Sequence, residues 1–216
     1  MNISIVAIKQ NVDSMKNIFS ERGHEVQIFS DKVDFISCFD SDLLVVISNA
    51  DLDAISHFFE DNRLAILIER RLCGGKKVLC IGNASNIVFS GNNFLQNYPD
   101  LPAQMRKSYG EIKFIDQWQA SSSSYVYSGQ VQVKKVEEKH NFLAENETVN
   151  CKNQLLVFQH PALNLDCKYT QPPNVAWGEV LQQKVILSVE NGALSALLFT
   201  PTERDFERIL PFFEGK

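Results

Sequence analysis

The sequence predicts an α/β fold: a doubly wound, mostly parallel sheet flanked by helices, with antiparallel strands in its second half. Three observations carry this. Up to Phe89, short β-branched apolar runs alternate with segments whose apolar residues recur at helical spacing. One of those runs, "DLLVVIS" (Asp42 to Ser48), is apolar without alternation, the pattern of a strand covered on both faces. Past Tyr109 the texture changes to short alternating runs and hairpin signals. Repeated strand-helix-strand units with short connections favour a doubly wound sheet, and 216 residues fit one domain, 1–216.

"ISIVAI" opens the chain as a first strand. Val12, Met15, Ile18 and Phe19 then give a helix one apolar stripe, and Gly23 closes it. "EVQIFS" alternates like a second strand, and "DLLVVIS" is the third. A helical pattern follows through Leu52, Ile55, Phe58 and Phe59, then Leu64, Leu67, Ile68 and Leu72, and it ends at Gly74-Gly75 before the strand "KVLCI". Tyr109 to Val136 reads as antiparallel strands or hairpins around a serine cluster. "EEKHNFLAENETVNCKN" is polar and weakly patterned and reads as a surface excursion. "QLLVFQHPAL" and "KVILSVENGALSALLFT" restore strand signals, the second turning at Asn191-Gly192. Phe206, Ile209, Leu210 and Phe213 line one side of a closing helix.

A net charge of −5 gives no electrostatic footprint for nucleic acid or an anionic membrane. No apolar run approaches the roughly 18 residues of a membrane span, and "MNISIVAIKQ" lacks the pattern of a secretory signal. Cys38, Cys73, Cys80, Cys151 and Cys167 are odd in number and irregularly spaced, which suits reduced thiols in a cytoplasmic protein. His24, His57, His140 and His160 are too scattered for a zinc site, and no metal or cofactor is expected.

Ligands in such sheets sit at the carboxyl ends of the strands, here Ser48 to Asp51 and Gly82 to Ala84. "KKVLCIGNASNIVF" (Lys76 to Phe89) reads as a buried strand turning sharply into a helix, where many hydrolases hold a nucleophile between small neighbours. Cys80 and Ala84 are small enough for that bend. Gly82 stands at its point, free to take a positive φ but without a side chain to attack anything.

The chain resembles the class I glutamine amidotransferases, most closely the glutaminase subunit of pyridoxal 5'-phosphate synthase. "ISIVAIKQNVDSM" looks like that family's opening strand and helix, "RKSYGEIKF" like its Arg-Asn-x-Tyr-Gly segment, and "VENGALSALLFTPTERDFERILPFF" like its closing strand, His-Pro-Glu motif and final helix. The glutaminase subunit of imidazole glycerol phosphate synthase is the second subfamily resembled, through "FQHPAL". The resemblance implies a flavodoxin-like sheet, a (β/α)8-barrel synthase subunit as partner, and glutamine or a related small molecule as ligand.

In that superfamily a cysteine in Gly-x-Cys-x-Gly attacks the glutamine amide, a histidine in His-Pro-Glu shuttles the proton and the glutamate orients it. By position these match Gly82, Thr200 and Thr202, so the resemblance implies lost glutaminase activity, since neither glycine nor threonine supplies a thiolate or a general base. The family's oxyanion-hole glycines match "ISNADLD", either Ser48-Asn49 or Asn49-Ala50. Ser48, Asn49, Asp51, Asn83, Arg106, Tyr109 and His160 are the ligand-binding candidates. Cys80, Ser85, Asp51 and His160 are the residues an altered chemistry could recruit. Each has a plainer reading: Cys80 as apolar filler, His160-Pro161 as a strand exit, Arg106 and Tyr109 as loop residues, Trp118 and Trp177 as packing. Thr202 with Asp205 fits a helix-capping box. The expected protein is a pseudoenzyme acting by binding; the alternatives are an active amidotransferase or different chemistry in the same cleft.

Overall fold

All six side chains of Leu43–Ser48 are buried, so this segment has to run through the middle of a sheet covered on both sides. The computed structural model describes residues 1–89, 126–136, 141–155, 157–158, 174–180 and 182–215. In chain order the elements are β1 (Asn2–Ala7), α1 (Asp13–Glu21), β2 (Glu25–Phe29), α2 (Phe35–Asp40), β3 (Leu43–Ser48), α3 (Leu52–Asp61), α4 (Leu64–Cys73), β4 (Lys77–Gly82) and α5 (Ala84–Phe89). There follow β5 (Val126–Val136), β6 (Thr148–Leu155), β7 (Val157–Phe158), β8 (Asn174–Val180), β9 (Gln183–Asn191), β10 (Leu194–Leu197) and α6 (Glu203–Glu214).

These strands form one 10-stranded sheet in the order β2-β1-β3-β4-β10-β9-β8-β5-β6, with β7 pairing β9 beside that path. From β2 to β10 every pairing is parallel, and from β10 onward every pairing is antiparallel. The predicted α/β class, with its antiparallel second half, is the observed one. Alternate residues of the parallel strands feed two cores. Ile3, Ile5, Val45, Ile47, Leu79 and Ile81 face α1 and α6, while Val6, Leu44, Val46, Val78 and Cys80 face the side of α3 and α4. Phe19 of α1 meets Phe206 of α6 edge to face at 5.6 Å, which seats the last helix beside the first.

The helical pattern from Leu52 to Leu72 is two helices, because the chain breaks at Arg63, whose φ of 52° is left-handed. A short helix, α2, also stands in a segment for which no helix is predicted. Its first turn is capped by Asp34, whose carboxylate accepts from the Ile36 and Ser37 N–H groups. The Ser37 N–H, more than any other group, holds that carboxyl below its ordinary range. The far end of α2 is held by the fully buried Arg71 of α4, whose guanidinium donates to the carbonyls of Cys38, Phe39, Ser41, Asp42 and Lys77.

The largest correction concerns "EEKHNFLAENETVNCKN". It is not a surface excursion throughout: from Thr148 it is strand β6, antiparallel to β5, with Val149 and Cys151 buried. Phe142 and Leu143, ahead of it, are also core residues. Phe142 packs on Phe212 and Phe213 of α6 at 5.2 and 6.0 Å. The hairpin at Asn191-Gly192 is present, with Gly192 at φ 59°. Of the predicted hairpin region, 109–125 lies outside the described residues, as do Trp118 and Cys167; Trp177 packs in the second core.

Candidate functional site

An apolar strand whose last pair is Ser48 with Gly82 delivers the chain into α5 within two residues. Reversal over so short a distance requires a positive φ, and Gly82 adopts +68°. The strand-turn-helix geometry of a nucleophile elbow is therefore intact. The space above it is not. A Cβ on Gly82 would lie 2.5 Å from the Ser48 carbonyl oxygen and closer still to Asn49 Oδ1, inside any real carbon contact. Asn49 Oδ1 is itself buried and has no hydrogen-bond partner among the described residues.

Asn83 ties this turn to three segments. Its backbone N–H donates to the Ser48 carbonyl at 2.6 Å. Its side-chain Nδ2 donates to the carbonyls of Ala50 and Asn153 at 3.0 and 2.9 Å. Its Oδ1 accepts from Gln154 Nε2 and from the Leu155 N–H at 3.1 and 2.8 Å. Gln154 is fully buried, and Asn86 Nδ2 reaches the Leu155 carbonyl. Further along the same strand, Asn150 accepts from the Thr200 N–H at 2.8 Å, and Cys151 Sγ lies 3.9 Å from the Leu198 carbonyl. Strand β6 is thus strapped across the carboxyl ends of β4 and β10, over the ground between Gly82 and Thr200. Asn83→Leu keeps the volume but strips these partners, and should cost about 2–3 kcal/mol in urea unfolding, with faster hydrogen exchange at Leu155.

The other predicted residues that are described each have partners of their own. Ser48 is buried, its hydroxyl donating to the Ile8 carbonyl and accepting from the Ala50 N–H. That N–H and the Ser48 carbonyl, which would belong to an oxyanion loop, are both engaged internally. Asp51 is exposed and caps α3 through the Ala54 N–H at 2.7 Å. Ser85, fully buried, donates to the Leu197 carbonyl. Thr202 begins α6, with Asp205 accepting from both its N–H and its hydroxyl, the capping role anticipated for it. Thr200 Oγ1 is buried without a partner among the described residues. Arg106, Tyr109 and His160 lie outside the described residues.

The nearby thiols are poor nucleophiles. Burial pushes the Cys80 thiol far above its ordinary value and Cys151 up to about 12, so both are protonated at neutral pH. Among the described residues no group of three or more His, Cys, Asp or Glu could hold a metal ion. What sequence reasoning missed is β6 from Thr148 to Asn153, and with it Asn150 and Asn153; Gln154 and Leu155 fall in the predicted strand segment "QLLVFQHPAL". The one local signal was the alternation of Val149 and Cys151 with polar residues.

No family model and no curated protein matches the sequence. Among solved structures, the chain is similar to the glutaminase domain of CTPS from Trypanosoma brucei, with bound acivicin. Identity is 12%, the match covers 99% of this chain and 92% of that one, and the TM-score is 0.58. A crystal structure of a glutamine amidotransferase matches at 12% identity over 98% of this chain and 99% of the other, with a TM-score of 0.55. PurLQS from Thermotoga maritima matches at 15% identity over 98% and 99%, with a TM-score of 0.50. At such identities the likeness is one of fold: the chain has the architecture of the glutamine amidotransferases.

Proposed function

We propose that this glutamine amidotransferase-like chain is a catalytically silent member of that fold, acting by binding in the cytoplasm. The observation that carries the reading is the filled elbow: Gly82 has no side chain, and the room for one is taken by Asn49 and the Ser48 carbonyl. Thr200 and Thr202 stand where the base and its orienting carboxylate belong by resemblance, and Thr202 is committed to the cap of α6. The β6 strap supports the same reading, because it fills the ground where a substrate amide would approach the elbow, and it does so with a buried carboxamide of its own, Gln154. A chain that has lost a nucleophile and a base, and has closed over the site, retains its surface as its remaining function.

The partner we propose is the (β/α)8-barrel subunit of a pyridoxal 5'-phosphate synthase, on the resemblance of the opening and closing segments to the glutaminase that serves it. The test is glutamine hydrolysis by the purified chain, alone and mixed with that barrel subunit, together with sedimentation of the mixture. The expected result is a complex and no glutamate above the buffer rate. Glutamate release would overturn the silent elbow, and two independent sedimenting species would overturn the partner.

A further inference from the structure

The sheet ends on two strands, β6 and β2, whose outer borders differ. At β6 the carbonyls of Asn150, Asn153 and Leu155 accept from Thr200, Asn83 and Asn86. At the other end β2 pairs with β1 from Glu25 to Phe29, and no described strand lies beyond it. The Glu25 N–H donates to the Met1 carbonyl, so it points into the sheet. Along a strand the N–H and C=O of one residue share a side and successive residues alternate. Glu25, Gln27 and Phe29 therefore turn these groups toward β1, while Val26 and Ile28 turn theirs outward, where they have no partner among the described residues. Edges of this kind are normally blunted by a lysine, a proline or a bulge. β2 has none of these: its one charge is Glu25, at its first residue, and its register with β1 is unbroken.

The strand also matches itself. On either side of the exposed Gln27 stand Val26 and Ile28, both β-branched, half-buried and packed against the first core. An antiparallel pair of two copies, with its twofold axis at Gln27, overlaps the whole strand. Val26 of each copy then lies opposite Ile28 of the other, and each such pair exchanges both backbone bonds, so every outward group is satisfied. The same pairs carry the apolar face across the axis. Gln27 meets Gln27, whose carboxamides can donate and accept reciprocally. Glu25 lies opposite Phe29, which keeps the two carboxylates at opposite ends of the ladder. Moving the axis to Ile28 would set Glu25 against Asp31, like charge against like. A twofold contact uses the same edge on both chains and closes at two.

We propose that β2 is a dimerisation edge whose partner is a second copy of this chain, the sheet continuing through an antiparallel β2 pair centred on Gln27. β1 and β3 separate this edge from β4 and Gly82, so the proposal stands whether or not glutamine is hydrolysed. Sedimentation velocity of the full chain from micromolar to millimolar concentration should show a reversible monomer–dimer equilibrium, weak because the ladder is short. Gln27→Lys changes an exposed side chain and sets two ammonium groups across the axis, on Cα atoms about 4.5 Å apart. It should weaken the dimer about tenfold, with an unchanged far-ultraviolet circular dichroism spectrum. Gln27→Glu should do the same, and an equimolar mixture of the two variants should dimerise where neither does alone. A wild-type chain that stays monomeric to millimolar concentration, a Gln27→Lys dimer as tight as the wild type, or two variants that fail to pair with each other would each overturn the proposal.

Discussion

Gly82→Cys is expected to destabilise the protein by about 3 kcal/mol without conferring glutamine hydrolysis. A thiol at the point of the turn is the direct test of the proposed silent elbow, and the geometry says why it should not act. The left-handed φ of +68° suits glycine, and any β-carbon there collides with the Ser48 carbonyl and the Asn49 side chain. Moving them displaces the Asn83 N–H from its 2.6 Å bond to the Ser48 carbonyl and loosens the turn that positions the new thiol. On the proposed reading no base awaits it, since Thr200 matches the histidine's position by resemblance. Urea unfolding of the wild-type and variant chains gives the stability difference, and glutamate release gives the activity. A Gly82→Cys protein as stable as wild type would show that the elbow still has room.

Arg71→Met should cost about 3–5 kcal/mol and lower the melting temperature by about 10 °C. Arg71 is 0% exposed. Burial pulls its guanidinium down to about 10, still protonated at neutral pH. Methionine replaces the stem but none of the donors, so the carbonyls of Cys38, Ser41, Asp42 and Lys77 lose a partner together. The loss spreads, because these carbonyls belong to the end of α2, to the loop before β3 and to the first residue of β4. Arg71→Lys should recover only part of the stability, as a point charge cannot span carbonyls arranged around a planar fork. Thermal unfolding of the two variants checks both statements; an Arg71→Met midpoint within a degree or two of wild type would refute the first.

The parallel half was legible because its strands are local apolar runs: Ile3 to Ala7, Leu43 to Ile47 and Val78 to Ile81 announce burial on both faces without reference to anything distant. Gly82 at the elbow, the turn at Asn191-Gly192 and the cap at Thr202 and Asp205 were legible for the same reason, each being specified within a few residues. Strand β6 was not. Its buried face offers Val149 and Cys151, but it is held by the backbone carbonyls of Asn150 and Asn153 and the side chain of Gln154, which bond Thr200 and Asn83, partners far away in sequence. Bonds made through backbone carbonyls leave no mark on residue type, so the stretch from Thr148 to Asn153 looks like a loop in isolation, and only from Gln154 does the strand signal of "QLLVFQHPAL" show. Helix α2 escaped because its capping aspartate and Arg71 hold a segment too short for an apolar period to register. The candidate site divides likewise: Gly82 was visible from the chain itself, and the Asn49 side chain that fills the space above it was not.

The position of β10 has a consequence for biosynthesis. Strand β4 takes β3 on one side and β10 on the other, yet more than a hundred residues separate Gly82 from Leu194. At ribosomal rates of about 5–20 residues per second, that interval lasts on the order of ten seconds. If the β2-β1-β3-β4 unit forms as it is synthesised, the backbone border of its apolar strand at Val78 to Ile81 stays unpaired throughout. Such a border templates pairing with any neighbouring strand, so polysomes crowded with this message would favour chains that stick to one another before their own final segment arrives to shield them.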